Sequence, residues 1–388
     1  MNEVYYQVVL LGALNQATVQ ELKTEISFQL VELGLSPHAI RFLSVATLFA
    51  RKRELPTMGI FFGSQGLAFP SQARFLLEDS NLVVPVVSDV IEVASHIPIE
   101  LQHINALAID DVGVPRLATL VFEAFRLLRR ERRVFISYRR KESQFLANKL
   151  YDELDARGYD VFIDVRSVPP GVDFQAELWH RMGDADVILL IDTPGFRASR
   201  WTQEELAQAN LTSIEILHLL WPGQSEDDSS AMSTFFPLST EDFRQGSARL
   251  GGGIKRASLR RICDTVEQLR ARAIAVRYRY LVDTVCDAAR DLGARPQVQK
   301  ERWALLENSN GERLALVPAI GRPTSDRIDE IFQAINTFSG TPLSIWIVYD
   351  GRGMSSVWKR HLDWLNGHLP TRTVPVVDAC HELRSFVL

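Results

Sequence analysis

Short apolar runs alternate with amphipathic patterns along almost the whole chain of 388 residues. The runs YYQVVLLG at 5–12, VFISY at 134–138 and LSIWIVYD at 343–350 are typical of buried strands. Between such runs, apolar residues recur every three or four positions, as at Leu146 and Leu150, which indicates helices. In the first part of the chain the patterns predict helices over 70–78 and 115–130 and a strand at 104–110. Strands that alternate with helices in this way predict an α/β protein with mainly parallel sheets.

The alternation divides into three blocks, so the sequence predicts three α/β units. The predicted organisation is an N-terminal α/β domain at 1–130, a central domain at 131–255, a long connector helix at 256–294 and a C-terminal α/β domain at 295–388. Within the central domain, residues 223–254 are rich in Ser, Asp and Gly, and they predict an exposed insertion or linker.

The first and third blocks contain similar runs in the same order. VVLLG, GIFFGSQG and VVPVVSD occur in the first block, and ALVPAIG, SIWIVYDGRG and TVPVVDA occur in the third. Duplication of one α/β unit explains this order, and convergent α/β patterning explains it about as well.

A helical pattern over 257–292 has apolar residues at alternating spacings of three and four. These residues are Leu259, Ile262, Val266, Leu269, Ala273, Val276 and Tyr280. A helix of this length spans about 50 Å. The pattern is heptad-like, and it predicts either a connector that lies along two domains or a helix for self-association.

Composition and charge narrow the class of protein. The hydrophobic fraction of 46%, the charged fraction of 23% and the net charge of −5 indicate a globular protein without nucleic acid or anionic membrane as its main partner. Four arginines between Arg129 and Arg133 are compatible with a nucleic-acid patch, but we prefer a solvated helix end at a domain junction. No apolar run reaches transmembrane length and no basic leader is evident, so we expect a cytoplasmic protein.

Several common chemistries lack their motifs in this sequence. No GxGxxG opens a helix after a strand, and no phosphate-binding loop ends in Gly-Lys-Ser/Thr. The histidines form no HExxH pair, no serine lies in a GxSxG elbow, and the three cysteines lack metal-ligand spacing. We therefore expect free thiols and no metal site.

The central block contains five segments that match one family in order and spacing. They are VFISYRR at 134–140, GYDVFIDVRSVPPGVDF at 158–174, ADVILLIDTPGFRASRW at 185–201, WTQEEL at 201–206 and ILHLLWP at 216–222. Together they resemble the Toll/interleukin-1 receptor (TIR) domain over about residues 132–222. The two arginines after the tyrosine look especially like the NAD-cleaving branch of that family. The resemblance implies a flavodoxin-like fold for the central unit, while the flanking blocks resemble no family that we can name.

The resemblance assigns a catalytic role to Glu205. In NAD-cleaving TIR proteins the catalytic glutamate lies four residues after a tryptophan, here Trp201. On a helix these two residues share a face, whereas Glu204 is rotated by about 100° and is expected at the surface. A carboxylate stabilises the oxocarbenium-like charge that develops on the ribose as nicotinamide departs. One carboxylate is sufficient, and no second acidic partner is evident.

Other residues are predicted to bind NAD⁺ as the substrate. Arg139 and Arg140 follow VFISY and are expected to meet the pyrophosphate, although interfacial salt bridges explain them about equally well. Trp201 either stacks on a flat ring or packs against the sheet. The remaining members of the predicted binding set are Tyr138, Gly171 in the loop after the second strand, and Phe174, for which a core anchor is the stronger interpretation.

The resemblance implies an NAD⁺ glycohydrolase that needs no further cofactor. TIR enzymes act when assembled, so we expect a homo-oligomer or filament, an unidentified activating protein or ligand, and a role in bacterial anti-phage defence. A TIR signalling cyclase that makes cyclic ADP-ribose is the first alternative. A non-catalytic TIR scaffold for protein assembly is the second.

Overall fold

Three five-stranded sheets make up the framework of the described chain. The computed structural model describes residues 4–79, 81–163, 181–197, 214–226, 233–244, 253–299, 301–339 and 344–387. Within these residues the strands are mainly parallel and alternate with helices, so the predicted fold class is confirmed. The chain divides into two compact units, Met1–Arg130 with Arg260–Arg272, and Glu131–Leu259 with Ala273–Leu388.

The first sheet is entirely parallel and has the order β2-β1-β3-β4-β5. Its strands are β1 Tyr6–Gly12, β2 Ile40–Ser44, β3 Thr57–Phe62, β4 Val83–Val87 and β5 Leu107–Ala108. Its helices are α1 Gln16–Glu32, α2 Phe75–Glu78, α3 Val93–His96 and α4 Ile109–Ala124. The strand interiors are buried on both faces, as expected for a parallel sheet covered by helices.

Four details of this block differ from the sequence-based expectations. Strand β2 was not predicted, because only Ile40 and Leu43 of this edge strand are buried and no apolar run forms. The helix expected over 70–78 is a short 3₁₀ turn followed by α2, and the strand expected over 104–110 has only two residues. The helix expected over 115–130 begins earlier and bends at Gly113, whose φ of 78° is non-helical.

The second sheet is also parallel in every strand pair and has the order β10-β9-β8-β6-β7. Its strands are β6 Arg133–Ser137, β7 Asp160–Ile163, β8 Val187–Asp192, β9 Glu215–Leu220 and β10 Thr234–Pro237. The long helix α5 Arg140–Ala156 follows β6, and the single-turn helix α6 Pro194–Arg197 follows β8. From β7 to β10 this is the flavodoxin-like order, in which the second strand lies beside the first and the third lies on its other side.

The segment expected to be an exposed linker at 223–254 contributes to this sheet. Strand β10 pairs in parallel with β9, and Phe243 is buried against Trp221 with ring centroids 5.4 Å apart. Phe243 also forms an antiparallel bridge with Ile254. The described part of the segment therefore packs as part of the fold, because its few apolar residues are concentrated where they meet the sheet.

A single helix, α7 Arg256–Asp291, connects the second and third blocks, as the sequence predicts. Its residues 260–272 belong to the first compact unit and its remaining residues belong to the second. Ile262, Val266 and Ala273 on its apolar stripe are fully buried within the chain. This burial favours the connector over the self-association helix. Among the described residues, no helix has both the length and the apolar character needed to cross a bilayer.

The third sheet has the sequential order β11-β12-β13-β14-β15. Its strands are β11 Gln297–Val298, β12 Ala304–Glu307, β13 Arg313–Ala319, β14 Ser344–Tyr349 and β15 Thr371–Pro375. Its helices are α8 Ser325–Ser339, α9 Ser356–Asn366 and α10 Val376–Val387, of which α10 was not predicted. The pairs β11–β12 and β12–β13 are antiparallel, and the remaining pairs are parallel. Helices α7 and α10 cover one face of this sheet.

The similar runs of the first and third blocks can be compared by how their strands pair in the two sheets. The similar runs form β1, β3 and β4 in the first sheet and β13, β14 and β15 in the third, and each set is adjacent and parallel. The other neighbour of β1 is the parallel strand β2, whereas the other neighbour of β13 is the antiparallel strand β12. The complete order of the first sheet instead matches that of the second.

Candidate functional site

The strand order places a crevice at the carboxyl ends of β6 and β8. After β6 the chain continues to β7 on one side, and β8 then lies on the other side of β6. In open parallel sheets, ligands bind at such a reversal, outside the carboxyl ends of the two strands. The residues that follow β6 run from Tyr138 to Glu142, and those that follow β8 run from Thr193 to Gly195.

One carboxylate joins these two chain segments. Oε1 of Glu142 accepts a hydrogen bond from Arg139 Nη1 at 2.7 Å, and Oε2 accepts one from the Gly195 backbone N–H at 3.1 Å. Arg139 is the residue before α5, and Glu142 lies in its opening turn, directly before Ser143, whose φ of −137° is non-helical and separates this turn from the rest of the helix. The Arg139 guanidinium is therefore tied, through Glu142, to the backbone that follows β8.

The Glu142 carboxylate is held in its ionised form. Its pKa lies below the ordinary value of 4.5, chiefly because of the Thr193 hydroxyl and also because of the Gly195 N–H and the Arg139 guanidinium, which together outweigh the opposing effect of burial. Hydrogen bonds and a positive charge favour the charged form of a carboxyl group. At neutral pH the Arg139–Glu142 contact is consequently an ion pair.

Gly195 provides the space that this ion pair occupies. A Cβ atom built at Gly195 would overlap Arg139 Nη1 and Glu142 Oε1. Every residue other than glycine carries a Cβ, so a substitution here would push the guanidinium and the carboxylate away. The glycine thus has a steric role at the site.

Arg139 retains donors for a ligand. Among the described residues its side chain makes one hydrogen bond, through Nη1, and 40% of the side chain is exposed. The guanidinium has further N–H groups on Nε and Nη2, in a planar arrangement that matches carboxylate and phosphate oxygens. An arginine that, within the described part of the chain, is held through one nitrogen and keeps its other donors is suited to binding an anion.

Of the other predicted site residues, Arg140 and Tyr138 lie within the described part of the chain. Arg140 is the exposed first residue of α5, beside Arg139. Tyr138 is fully buried, and its hydroxyl has no hydrogen-bond partner among the described residues, so it belongs to the core and presents no surface to a ligand. The positions Gly171, Phe174, Trp201, Glu204 and Glu205 lie outside the described residues.

Glu142 is the residue that sequence reasoning missed. Its place three residues after Arg139, at the start of a helix, gave a local signal for an ion pair. The second half of its role depends on Gly195, which is 53 residues away in sequence. No pattern along the chain reveals that contact.

A second polar pair lies on one face of the same sheet. His218 Nδ1 of β9 is 2.7 Å from Asp192 Oδ2 at the end of β8, and both residues are buried. The His218 ring lies beside Phe235 of β10, with centroids 5.0 Å apart. The neighbouring positions on this face, such as Leu190 and Ile216, are apolar and belong to the core. The pair therefore ties β8 to β9 inside the domain.

Two solved structures match most of the chain, but at low similarity. No curated protein matches the chain. A conserved domain protein from Vibrio cholerae O1 biovar El Tor strain N16961 is 12% identical, with 72% of this chain and 85% of that chain covered and a TM-score of 0.21. A putative phosphosugar isomerase from Silicibacter pomeroyi DSS-3 is 14% identical, with 70% and 85% covered and a TM-score of 0.17. Such low scores carry no argument about fold or function.

The family model described as the TIR domain matches residues 134–249. This range includes all five strands of the second sheet except the first residue of β6. It also includes Arg139, Glu142 and Gly195 at the crevice. The flavodoxin-like strand order agrees with the match, and residues 134–249 are a TIR domain.

Proposed function

We propose that the TIR domain is an NAD⁺ glycohydrolase, which cleaves the bond between nicotinamide and ribose. The observation that carries this proposal is the position of Arg139. Its guanidinium is held by Glu142 at the crevice between β6 and β8, and among the described residues Nε and Nη2 donate to no protein group. A dinucleotide has a pyrophosphate at its centre, and arginine binds phosphate oxygens by charge-assisted hydrogen bonds.

The chemical step is assigned to Glu205 on the strength of the resemblance. Nicotinamide leaves NAD⁺ as a neutral base, so no acid is needed to protonate it. As the C1′–N bond breaks, positive charge develops on the ribose, and a fixed carboxylate stabilises that charge. A water oxygen then bonds to C1′ and releases one proton, which gives ADP-ribose. A ribose hydroxyl or adenine nitrogen that attacks C1′ instead of water gives a cyclic product.

Assembly is part of the proposal. Enzymes of the TIR branch that this chain resembles act as assemblies, and we infer a homo-oligomer formed through the TIR domain. The apolar stripe of α7 is buried within the chain, which supports assigning assembly to the TIR domain. The first and third blocks would then receive an activating protein or ligand. A role in anti-phage defence in the bacterial cytoplasm follows from the resemblance and stays a prediction.

The test is NAD⁺ consumption as a function of protein concentration, with products separated by chromatography. We expect turnover per molecule to rise with concentration for the wild type. Glu205→Ala should abolish turnover, and Arg139→Ala should weaken substrate binding. Glu204→Ala is the matched control, because it removes the neighbouring carboxylate and should retain activity. A cyclic product would identify the cyclase, and intact NAD⁺ under every assembly condition would favour the scaffold.

A further inference from the structure

We propose that Glu142 is a positioning residue, which holds the Arg139 guanidinium where it can bind the pyrophosphate of NAD⁺, and that Gly195 is glycine so that this arrangement fits. This inference rests on the proposed function and deepens it, since it names the residues that build the anion subsite. Glu142 itself touches no substrate in this scheme. It acts through Arg139.

The two oxygens of Glu142 give it an orienting role. One oxygen binds the arginine side chain and the other binds the Gly195 backbone, so the carboxylate bridges α5 and the segment after β8. A free arginine side chain has about 2 kcal/mol of rotamer entropy to lose when it binds an anion. An arginine that is already held loses less, and the ligand binds more tightly.

The charge of Glu142 acts in the opposite direction. A carboxylate next to the subsite repels phosphate, so an acid at this position is favourable only if its geometric effect is larger. Three substitutions separate these effects. Glu142→Ala removes both the charge and the contacts, and Glu142→Gln removes the charge but keeps one acceptor for Arg139. Gly195→Ala keeps the charge and displaces the guanidinium by steric overlap.

The side chains of Arg139 and Glu142 are partly exposed, so their variants should stay folded and can be compared with the wild type. The Arg139 and Glu142 side chains are 40% and 32% exposed, so neither is a core residue whose loss would unfold the domain. Asp152 is a matched control on the same helix, because its carboxylate is 65% exposed and pairs with Lys149 at 3.7 Å. Asp152→Ala removes an acidic side chain from α5 without changing the crevice.

The experiment measures kcat and KM for NAD⁺ and, separately, the Kd of ADP-ribose by calorimetry. We expect Glu142→Ala and Gly195→Ala to raise both KM and Kd about tenfold, with kcat within about twofold of wild type, because Arg139 is no longer held in place for its charge-assisted contact with the ligand. Glu142→Gln should fall between the wild type and Glu142→Ala. Asp152→Ala should match the wild type, and thermal unfolding should show every variant folded.

A double-mutant cycle with Arg139→Ala gives the decisive result. If Glu142 acts through Arg139, its removal has no further effect on KM once Arg139 is alanine. Independent, additive effects would overturn the inference, and so would a loss of kcat with KM unchanged. If the wild type cleaves NAD⁺ but Glu142→Ala and Gly195→Ala bind ADP-ribose as tightly as it does, only the positioning role fails. A wild type that neither cleaves NAD⁺ nor binds ADP-ribose overturns the proposed function as well.

Discussion

Arg322 and Asp184 are joined by two hydrogen bonds that link the third block to the TIR domain. Arg322 Nε lies 2.6 Å from Asp184 Oδ2, and the Arg322 backbone N–H lies 3.0 Å from Oδ1. Asp184 is fully buried and also pairs with Arg133 at the start of β6. Arg277 of α7 donates to the carbonyl oxygen of Ala185 nearby. These contacts make the second and third sheets parts of one compact unit.

Loss of the Asp184 carboxylate should strongly destabilise this unit. Asp184→Ala removes the buried carboxylate that Arg133 and Arg322 share, and Arg133 keeps Asp160 at 3.5 Å as a carboxylate partner. The free energy of unfolding should fall by about 3 kcal/mol, because Arg322 loses its counter-ion in a mostly buried place. Urea denaturation followed by circular dichroism measures the change. Glu330→Ala is the control, because it removes one partner of the Arg327–Glu330 pair, which is partly exposed and should contribute less than about 1 kcal/mol. Similar losses for both variants would contradict the role given to the buried carboxylate.

Phe243 should behave as a core residue, although it lies in a segment rich in linker-type residues. Only 2% of Phe243 is exposed, so Phe243→Ala removes a packed ring and should cost about 3–5 kcal/mol of unfolding free energy. The same change at Phe49 in the first unit, where 88% of the residue is exposed, should have almost no effect. Thermal and urea unfolding of the two variants compare them directly. A loss of under about 1 kcal/mol for Phe243→Ala would instead support the prediction that this segment is an exposed linker.

The turn after β1 requires glycine for two reasons. Gly12 has a φ of 83°, and a Cβ atom there would overlap the carbonyl oxygen of Phe62 in β3. Gly66 has a similar φ of 71° but open space around it. Gly66→Ala should therefore cost about 1–2 kcal/mol from backbone strain alone. Gly12→Ala should lower the free energy of unfolding by more than Gly66→Ala does, because backbone atoms of β3 must also move. Equal melting temperatures for the two variants would contradict the steric role of Gly12.

The Glu142 carboxyl group should make stability depend on pH. Because its pKa is lowered in the folded protein, its contribution is fully present above the unfolded value of 4.5 and is lost as the pH falls through the lower, folded value. The pKa of Asp326 is also lowered, chiefly by the Thr324 hydroxyl, so the wild type alone does not isolate Glu142. The effect of Glu142 alone is given by the difference in unfolding free energy between wild type and Glu142→Gln. It should be largest at neutral pH and shrink in acid. A difference that is constant with pH would mean that Glu142 does not titrate in this way.

Sequence patterns predicted the buried central strands and the edge strands β7 and β15, and missed the edge strands β2 and β10. The runs that became β1, β3, β8 and β9 are continuous and apolar, because both faces of these central strands are buried. The four residues of β10 include none that is fully buried, and β2 alternates irregularly, so neither gives a clear period. Helix ends moved for local reasons such as the bend at Gly113.

Strand order and long-range contacts were beyond the reach of the sequence. The similar runs drew attention to the first and third blocks, whereas it is the first and second sheets that share the same order. Order depends on which strands pair, and pairing leaves no mark in the local pattern. Arg139 was found through the family resemblance, but its partner Glu142 gained significance only from the distant Gly195.

Helix α7 makes the first compact unit discontinuous in sequence. Residues 131–259 are inserted between its two parts, and the second part supplies the buried Arg270, which pairs with Glu123 at 3.0 Å, and Glu267, which accepts from Thr119 at 3.3 Å. A truncated fragment that ends at residue 130 would expose that surface to water and should aggregate. A synthetic peptide covering 256–276, added in trans, should restore its solubility by complementation.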